Sequence, residues 1–371
     1  MHKTVRPSKK QRASRVTPAR KLAFSVLEDI RCHKVFLEQA WNRGAKALSL
    51  LPAEKAFARL LTTEVVSRRG SLDILINRVL KSPDDIQDDV RNALRISFVE
   101  LFYLNKPAHV VSHEGVELVR SFAPKAAGVA NFALRRACEQ KTEFPFGNIH
   151  SDVSAASLYF GFPQWLTQKL IDEFGFDSAF HFMENSNCSA PLFFIINQAH
   201  ANGPQTLKSL VNQGIKIFPL PRIQQKDCGL SCFLFAQRSD VGNEFVIDLL
   251  RKGSLVISDG AAQKVASLAI PDCFPDKFLE IGAGRGTKSL LLQNVALSRF
   301  GKQMALDTLD VDQSRTKERI SRLKQADIVQ NEVFCQDATH LSHFSDATYD
   351  AVFIDAPCTG VGTLRRHADI R

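Results

Sequence analysis

The 371 residues predict a multidomain chain: an all-helical bundle, then a small mixed α/β unit, then a parallel, doubly wound sheet. Three observations predict it. Apolar residues recur at helical spacing from about residue 17 to 140. Short β-type runs replace them between 192 and 258. From Lys277 onward strand-like and helix-like segments alternate, an order that places a parallel sheet among helices with its ligand crevice at the carboxyl ends of the strands. A chain this long exceeds what one core organises, and 44% apolar residues are enough to fill several.

The bundle starts at Thr17-Pro18, a capping side chain followed by a proline whose missing N–H the first helical turn does not need. Leu22, Ala23, Val26, Leu27 and Ile30 form the first apolar stripe, and further stripes centre on Leu61, Ile76, Leu94 and Ala133. Turn formers at Phe144-Pro145-Phe146-Gly147-Asn148 mark a linker, which sets the helical domain at 17–145. One more helix around Trp165 to Phe174 precedes strand candidates at 192–197, 215–220, 232–236 and 255–258, with a helix candidate at 205–211. These give a small α/β domain of ferredoxin-like, RNA-binding type over 146–250. In the last part, strands are expected at 278–281, 304–310, 332–336 and 349–355, and helices at 287–297 and 312–325. The sequence given stops four strands into that sheet, so the sheet is expected to be incomplete.

Eight of the nine excess positive charges fall within residues 1–21, which hold no acid (Lys3, Arg6, Lys9, Lys10, Arg12, Arg15, Arg20, Lys21). Residues 1–16 therefore read as a disordered basic tail, either a salt-sensitive attractor of phosphates or a solvated arm. A transit peptide ranks last, for want of an apolar face. No run approaches the roughly 18 apolar residues of a membrane span. The eight cysteines form no CxxC pair, and reduced thiols in the cytoplasm fit them best. His109 and His113, Cys228 and Cys232, and His340 and His343 lack the further ligands of a zinc site, so no metal is expected. A monomer without membrane attachment is expected.

The segment Glu280-Ile-Gly282-Ala283-Gly284-Arg285-Gly286-Thr287-Lys288 carries the chemistry. Glycines between a strand and a helix permit a tight turn and let a ligand approach the free N–H groups of the helix start. The spacing is GxGxG, and Thr287 stands where a dinucleotide fold places its third glycine, which favours an adenosyl cofactor over a pyrophosphate. Taken alone, such a loop also serves as a close-packed turn. Asp310, Asp337 and Asp355 close the next three strands, and with Glu280 they put four acids on one sheet edge. Their repulsion calls for a compensating ligand, and a sulfonium with an amino group and an adenine amine supplies one. Asp312 reads as a helix cap. Cys358 follows the last strand, where Arg365, Arg366 and His367 offer it a cationic surrounding or hold phosphates.

The segment Asp355-Ala-Pro-Cys358-Thr-Gly360-Val-Gly362-Thr-Leu-Arg365-Arg366-His367-Ala368-Asp369-Ile-Arg371 resembles the fourth motif of the Sun/RsmB family of RNA (cytosine-5) methyltransferases. The glycine loop with Lys288, Leu309-Asp310-Val311-Asp312 and Gln336-Asp337-Ala338 are similar to the family's preceding motifs. Ser258 to Gln263 looks like the segment ahead of them, which starts a Rossmann-like class I methyltransferase domain at 251 and carries it to 371. Upstream, Leu72-Asp73, Arg95-Ile96, Glu100-Leu101, Pro107 and Asn131 to Arg136 resemble the NusB-like domain of bacterial members.

The resemblance implies methylation of C5 of cytosine in RNA, ribosomal RNA being the expected partner, with S-adenosylmethionine as cofactor. Gly282, Ala283, Gly284, Arg285, Gly286, Thr287 and Lys288 would line the methionine part, Asp310 the ribose, Asp337 the adenine, and Asp355 the region of the transferring methyl. In the family the attacking cysteine belongs to a later motif and the Pro-Cys residue, here Cys358, assists release. The residues given lack that later motif, so cofactor binding with little turnover is expected of them. The loop has Gly-Ala-Gly-Arg where the family has an Ala-Ala-Pro-Gly type sequence, and Ala368 stands where the family has proline. Two rival readings stay open: a non-catalytic RNA-binding protein of transcription or ribosome assembly, and a methyltransferase of small molecules or proteins. A nicotinamide dehydrogenase is more distant, given Thr287.

Overall fold

A computed structural model describes residues 16–371 except 48, 202, 220–231, 342–343 and 345–347. The basic segment 1–15, Cys228 and His343 lie outside the described residues. The chain divides into two compact units, Met1–Ser189 with Gly360–Arg371, and Ala190–Thr359.

The first unit is helical. It contains α1 (Pro18–His33), α2 (Leu37–Ala47), α3 (Pro52–Ser67), α4 (Arg69–Val79), α5 (Asp88–Phe98), α6 (Ala108–Phe122) and α7 (Ala127–Gln140). Leu61, Leu72, Ile76, Leu94, Phe98 and Ala133 of the expected stripes meet in its core. α6 adds Val111, Leu118 and Val119 to this core, and its Gly115 faces α5 so closely that a Cβ there would lie 2.4 Å from the Ser97 hydroxyl. The first helix begins at Pro18 as expected, but the Thr17 hydroxyl does not cap it; it accepts a bond of 2.7 Å from Arg20 Nη1. Arg20, counted above with the basic tail, is instead buried. Its Nε and Nη2 donate to the two oxygens of Glu100 at 2.8 and 2.6 Å. Arg95 likewise grips Asp73 through two bonds of 2.8 Å. Residues that carry the NusB-like resemblance are thus fork-to-carboxylate pairs that stitch the helices.

This unit runs past residue 145. It takes in α8 (Val153–Phe160) and α9 (Gln164–Asn187), the latter kinked at Gly175. It also takes in residues 360–371: Leu364 is buried among Phe160, Phe162, Leu170 and Met183. Arg371 donates to Asn187 Oδ1 at 2.6 Å and to the Ser186 carbonyl at 2.9 Å.

The second unit holds two sheets. The first is built from β1 (Phe193–Ile196), α10 (Gly203–Asn212), β2 (Ile217–Pro219), β3 (Cys232–Phe235), α11 (Glu244–Lys252) and β4 (Leu255–Ile257). The strands are antiparallel in the order β2-β3-β1-β4, the split βαβ arrangement of ferredoxin-like folds. Since β4 pairs with β1, residues 255–257 complete this sheet although they follow the boundary expected at 251. α12 (Gly260–Ala269), which no apolar stripe announced, leads into β5 (Lys277–Ile281), α13 (Thr287–Phe300), β6 (Ala305–Asp310), α14 (Gln313–Gln325), β7 (Val333–Cys335) and β8 (Ala351–Ile354). These strands are parallel, as expected, in the order β7-β6-β5-β8, and growth of the sheet reverses between β7 and β8. The switch point lies between β5 and β8.

Buried amides join the two sheets. Asn197 Nδ2 donates to the carbonyls of Gly253 and Ala326 at 2.8 and 2.7 Å, while its Oδ1 accepts from Asn294 Nδ2 at 3.0 Å. Asn294 Oδ1 in turn accepts from the Gln198 N–H at 2.7 Å. Among the described residues, no helix is long and apolar enough to cross a membrane.

Candidate cofactor site

The glycine turn sits at the switch point. Gly282 has φ of 80°, and a Cβ on it would lie 2.4 Å from the Asp355 carbonyl oxygen, so only glycine lets β5 and the end of β8 come this close. The N–H groups of Gly282 and Ala283 both donate to the Leu309 carbonyl, at 2.8 and 3.1 Å, and the turn closes with Gly286 N–H on the Ala283 carbonyl at 2.9 Å. Beyond it α13 begins at Thr287, with the unshared N–H groups of a helix start.

Each acid has a different fate. Asp310 is buried, and its oxygens accept the N–H of Gly284 at 2.7 Å and of Asp312 at 2.8 Å. Asp355 is half-exposed and pairs with Lys288 across the switch point. Asp337 is exposed and folds its own turn, taking the N–H and hydroxyl of Thr339 at 2.8 Å each; those bonds hold its carboxyl below the usual range. Asp312 caps α14 by accepting the Arg315 N–H at 2.9 Å. The structure thus brings Asp310 and Asp355 onto the glycine turn, while the bonds of Asp337 go to Thr339 in its own turn. The repulsion argument needs correcting, since three of the four acids find compensating groups in the protein itself.

The fourth does not. Glu280 is fully buried, and neither carboxylate oxygen has a hydrogen-bond partner among the described residues. Burial pushes its carboxyl up to about 7; the Ser289 hydroxyl, close by but outside hydrogen-bonding geometry, opposes this most, followed by Arg319.

Two residues that bear on the turn were missed in the sequence, because α14 looks like an ordinary charged helix there. Arg319 is fully buried, and its Nη1 donates to the Gly284 carbonyl at 2.9 Å. Arg322 Nη1 donates to the Arg285 carbonyl at 3.2 Å and to the Thr287 hydroxyl at 2.9 Å, and Arg285 itself pairs with Glu318 at 2.9 Å. An arginine four residues ahead of a buried Leu323, on the inward stripe of α14, was the available signal.

Cys358 is exposed after β8. Arg365 gives its Nε and Nη2 to the carbonyls of Cys188 and Ser189 at 3.1 and 2.9 Å, which spends donors that the sequence had offered to the thiol or to phosphates. Among the described residues, no group of three or more His, Cys, Asp or Glu is arranged to hold a metal ion.

This geometry can be set beside known proteins. Residues 17–139 match the NusB family, and residues 273–371 match the family described as 16S rRNA methyltransferase RsmB/F. The chain joins a NusB domain to an RsmB/F methyltransferase domain. Its relatives agree along almost the full length. It is 28% identical over 365 residues to the ribosomal RNA small subunit methyltransferase B of Xanthomonas campestris, covering 96% of this chain and 75% of that one. It is 22% identical over 358 residues to the probable ribosomal RNA small subunit methyltransferase B of Bacillus subtilis, covering 96% and 76%. The crystal structure of PH0851 superposes with a TM-score of 0.69 at 16% identity, over 96% of this chain and 78% of that one, which shows a shared fold. The resemblance to the Sun/RsmB family is thereby borne out, and with it the NusB-like bundle followed by α/β sheets of methyltransferase type.

Proposed function

We propose that the protein transfers a methyl group from S-adenosylmethionine to C5 of a cytosine in ribosomal RNA. The observation that carries this reading is the convergence of the glycine turn, Asp310 and Asp355 on the switch point between β5 and β8, where open α/β sheets bind their ligands. The residues present suit that cofactor. Gly284 opens onto free space, with only the Gly282 carbonyl oxygen 3.9 Å from where a Cβ would stand, and Glu280 is a buried carboxyl without a hydrogen-bond partner among the described residues. In this reading Gly282 to Lys288 line the methionine part, with the helix-start N–H groups toward its carboxylate. Asp310, oriented by its two backbone donors, accepts from the ribose diol; Asp337 borders the adenine, and Asp355 the methyl. The bound cofactor supplies a methyl group on positively charged sulfur, which the neighbouring carboxylates favour. Cys358 assists release of the methylated base rather than attacking it. The helical unit and the ferredoxin-like sheet grip the RNA by phosphate and shape.

Titration of the purified protein with S-adenosylmethionine tests the cofactor, and absence of binding would overturn the reading. For the base, bisulfite sequencing of small-subunit ribosomal RNA from cells lacking the gene should show one 5-methylcytosine lost. An unchanged pattern would remove the assignment to cytosine in that RNA.

A further inference from the structure

We infer that Arg319 is a positioning residue of the cofactor site, which fixes the Gly284 peptide and through it the Asp310 carboxylate. This rests on the cofactor reading above. Three glycines in five residues leave the loop without the restraint that side chains impose, so it holds one conformation only if something outside it does the holding. The hold is a closed circuit. Gly284 gives its N–H to Asp310 Oδ2 at 2.7 Å and its carbonyl to Arg319 Nη1 at 2.9 Å. Arg319 stands on α14, α14 is capped by Asp312, and the Asp312 N–H returns to Asp310 Oδ1 at 2.8 Å. The arginine's stem also forms the wall behind the turn: a Cβ at Gly286 would lie 2.8 Å from Arg319 Cγ.

An arginine is costly to bury, and this one is fully enclosed with its Nε unpartnered. Its charge is matched by Glu280 and Asp310, both of which act on it electrostatically, yet among the described residues its hydrogen bonds go to neither carboxylate. A residue present only for stability would close a fork on one of them; Arg319 instead gives Nη1 to the loop's backbone at 2.9 Å and Nη2, over a longer 3.5 Å, to the Thr316 hydroxyl of its own helix.

The test compares Arg319→Met and Arg319→Lys with the unaltered chain, reading S-adenosylmethionine affinity, affinity for ribosomal RNA, and melting temperature. Arg319→Met should bind the cofactor roughly 10- to 100-fold more weakly, the scale of one lost charge-assisted bond. RNA affinity should stay within about twofold, and Arg319→Lys, which keeps the charge and one donor, should restore most of the loss. A second readout is the pH at which cofactor affinity falls. The groups facing Glu280 are Ser289 and Lys288 of α13, Arg319 of α14 and Asp355 at the end of β8, so removing the Arg319 charge should move that midpoint to higher pH. A merely structural arginine would lower the melting temperature and leave cofactor affinity and its pH midpoint where they were, which would overturn the inference. So would equal weakening of cofactor and RNA binding, or no recovery with lysine. If the unaltered chain binds no S-adenosylmethionine, the cofactor reading itself fails, and that outcome is distinct from all of these.

Discussion

Arg20 with Glu100 in the helical unit, and Arg319 with Glu280 under the glycine turn, both put an arginine and a glutamate into the interior, and they are built in opposite ways. In the first, two nitrogens meet two oxygens at 2.8 and 2.6 Å and the charges satisfy each other. In the second, the arginine binds a backbone carbonyl and the Thr316 hydroxyl, the glutamate has no hydrogen-bond partner among the described residues, and its carboxyl rises to about 7. The first arrangement serves the fold. The second keeps polar capacity in reserve at the place where a ligand is proposed, at a cost in stability.

The largest effect should come from breaking the satisfied pair. Glu100→Ala leaves the buried Arg20 with only the longer contact of its Nη1 to Glu114, at 3.4 Å, and should cost roughly 3 kcal/mol in denaturant unfolding, with cofactor affinity unchanged. Replacing both partners, as Arg20→Met with Glu100→Leu, should recover most of that loss, because the desolvation of both charges is removed together. Glu280→Gln should do the reverse of Glu100→Ala. A carboxyl raised from 4.5 to about 7 makes the folded state lose stability as pH rises through that window and remain lower above it. The Gln variant escapes this loss, so it should be more stable at pH 8 by up to about 3 kcal/mol, with no difference below pH 4.5, while binding S-adenosylmethionine more weakly. Equal stability at both pH values would erase the contrast between the two pairs. The smallest effect belongs to Lys288→Met. The pair with Asp355 is 27% and 38% exposed, so its loss should change stability by less than about 1 kcal/mol, and any larger change in cofactor affinity would mark a role in binding.

How much of this was legible depended on how local the cause was. The strand-to-helix alternation after Lys277 appeared with nearly the right bounds, because short apolar-rich strands alternate with longer helical stretches and Asp312 writes its own cap. The glycine turn was visible for the same reason. Arg319 and the exclusion of Arg20 from the basic arm were invisible because their partners lie 35 and 80 residues away, and sequence spacing within one helix does not report such partners. Cysteine and arginine near the C-terminal end were grouped by adjacency in sequence, whereas Arg365 is committed to carbonyls more than 170 residues upstream.

Asn197 bears on how the protein would handle a large substrate. With one amide wedged between a carbonyl after α11, a carbonyl after α14 and the side chain of α13, the ferredoxin-like sheet is tied to its neighbour at a buried point. A nucleotide chain seated on the smaller sheet would be measured against the methyl donor as on a fixed ruler, so the reach from grip to target base would be set when the protein folds rather than when it binds.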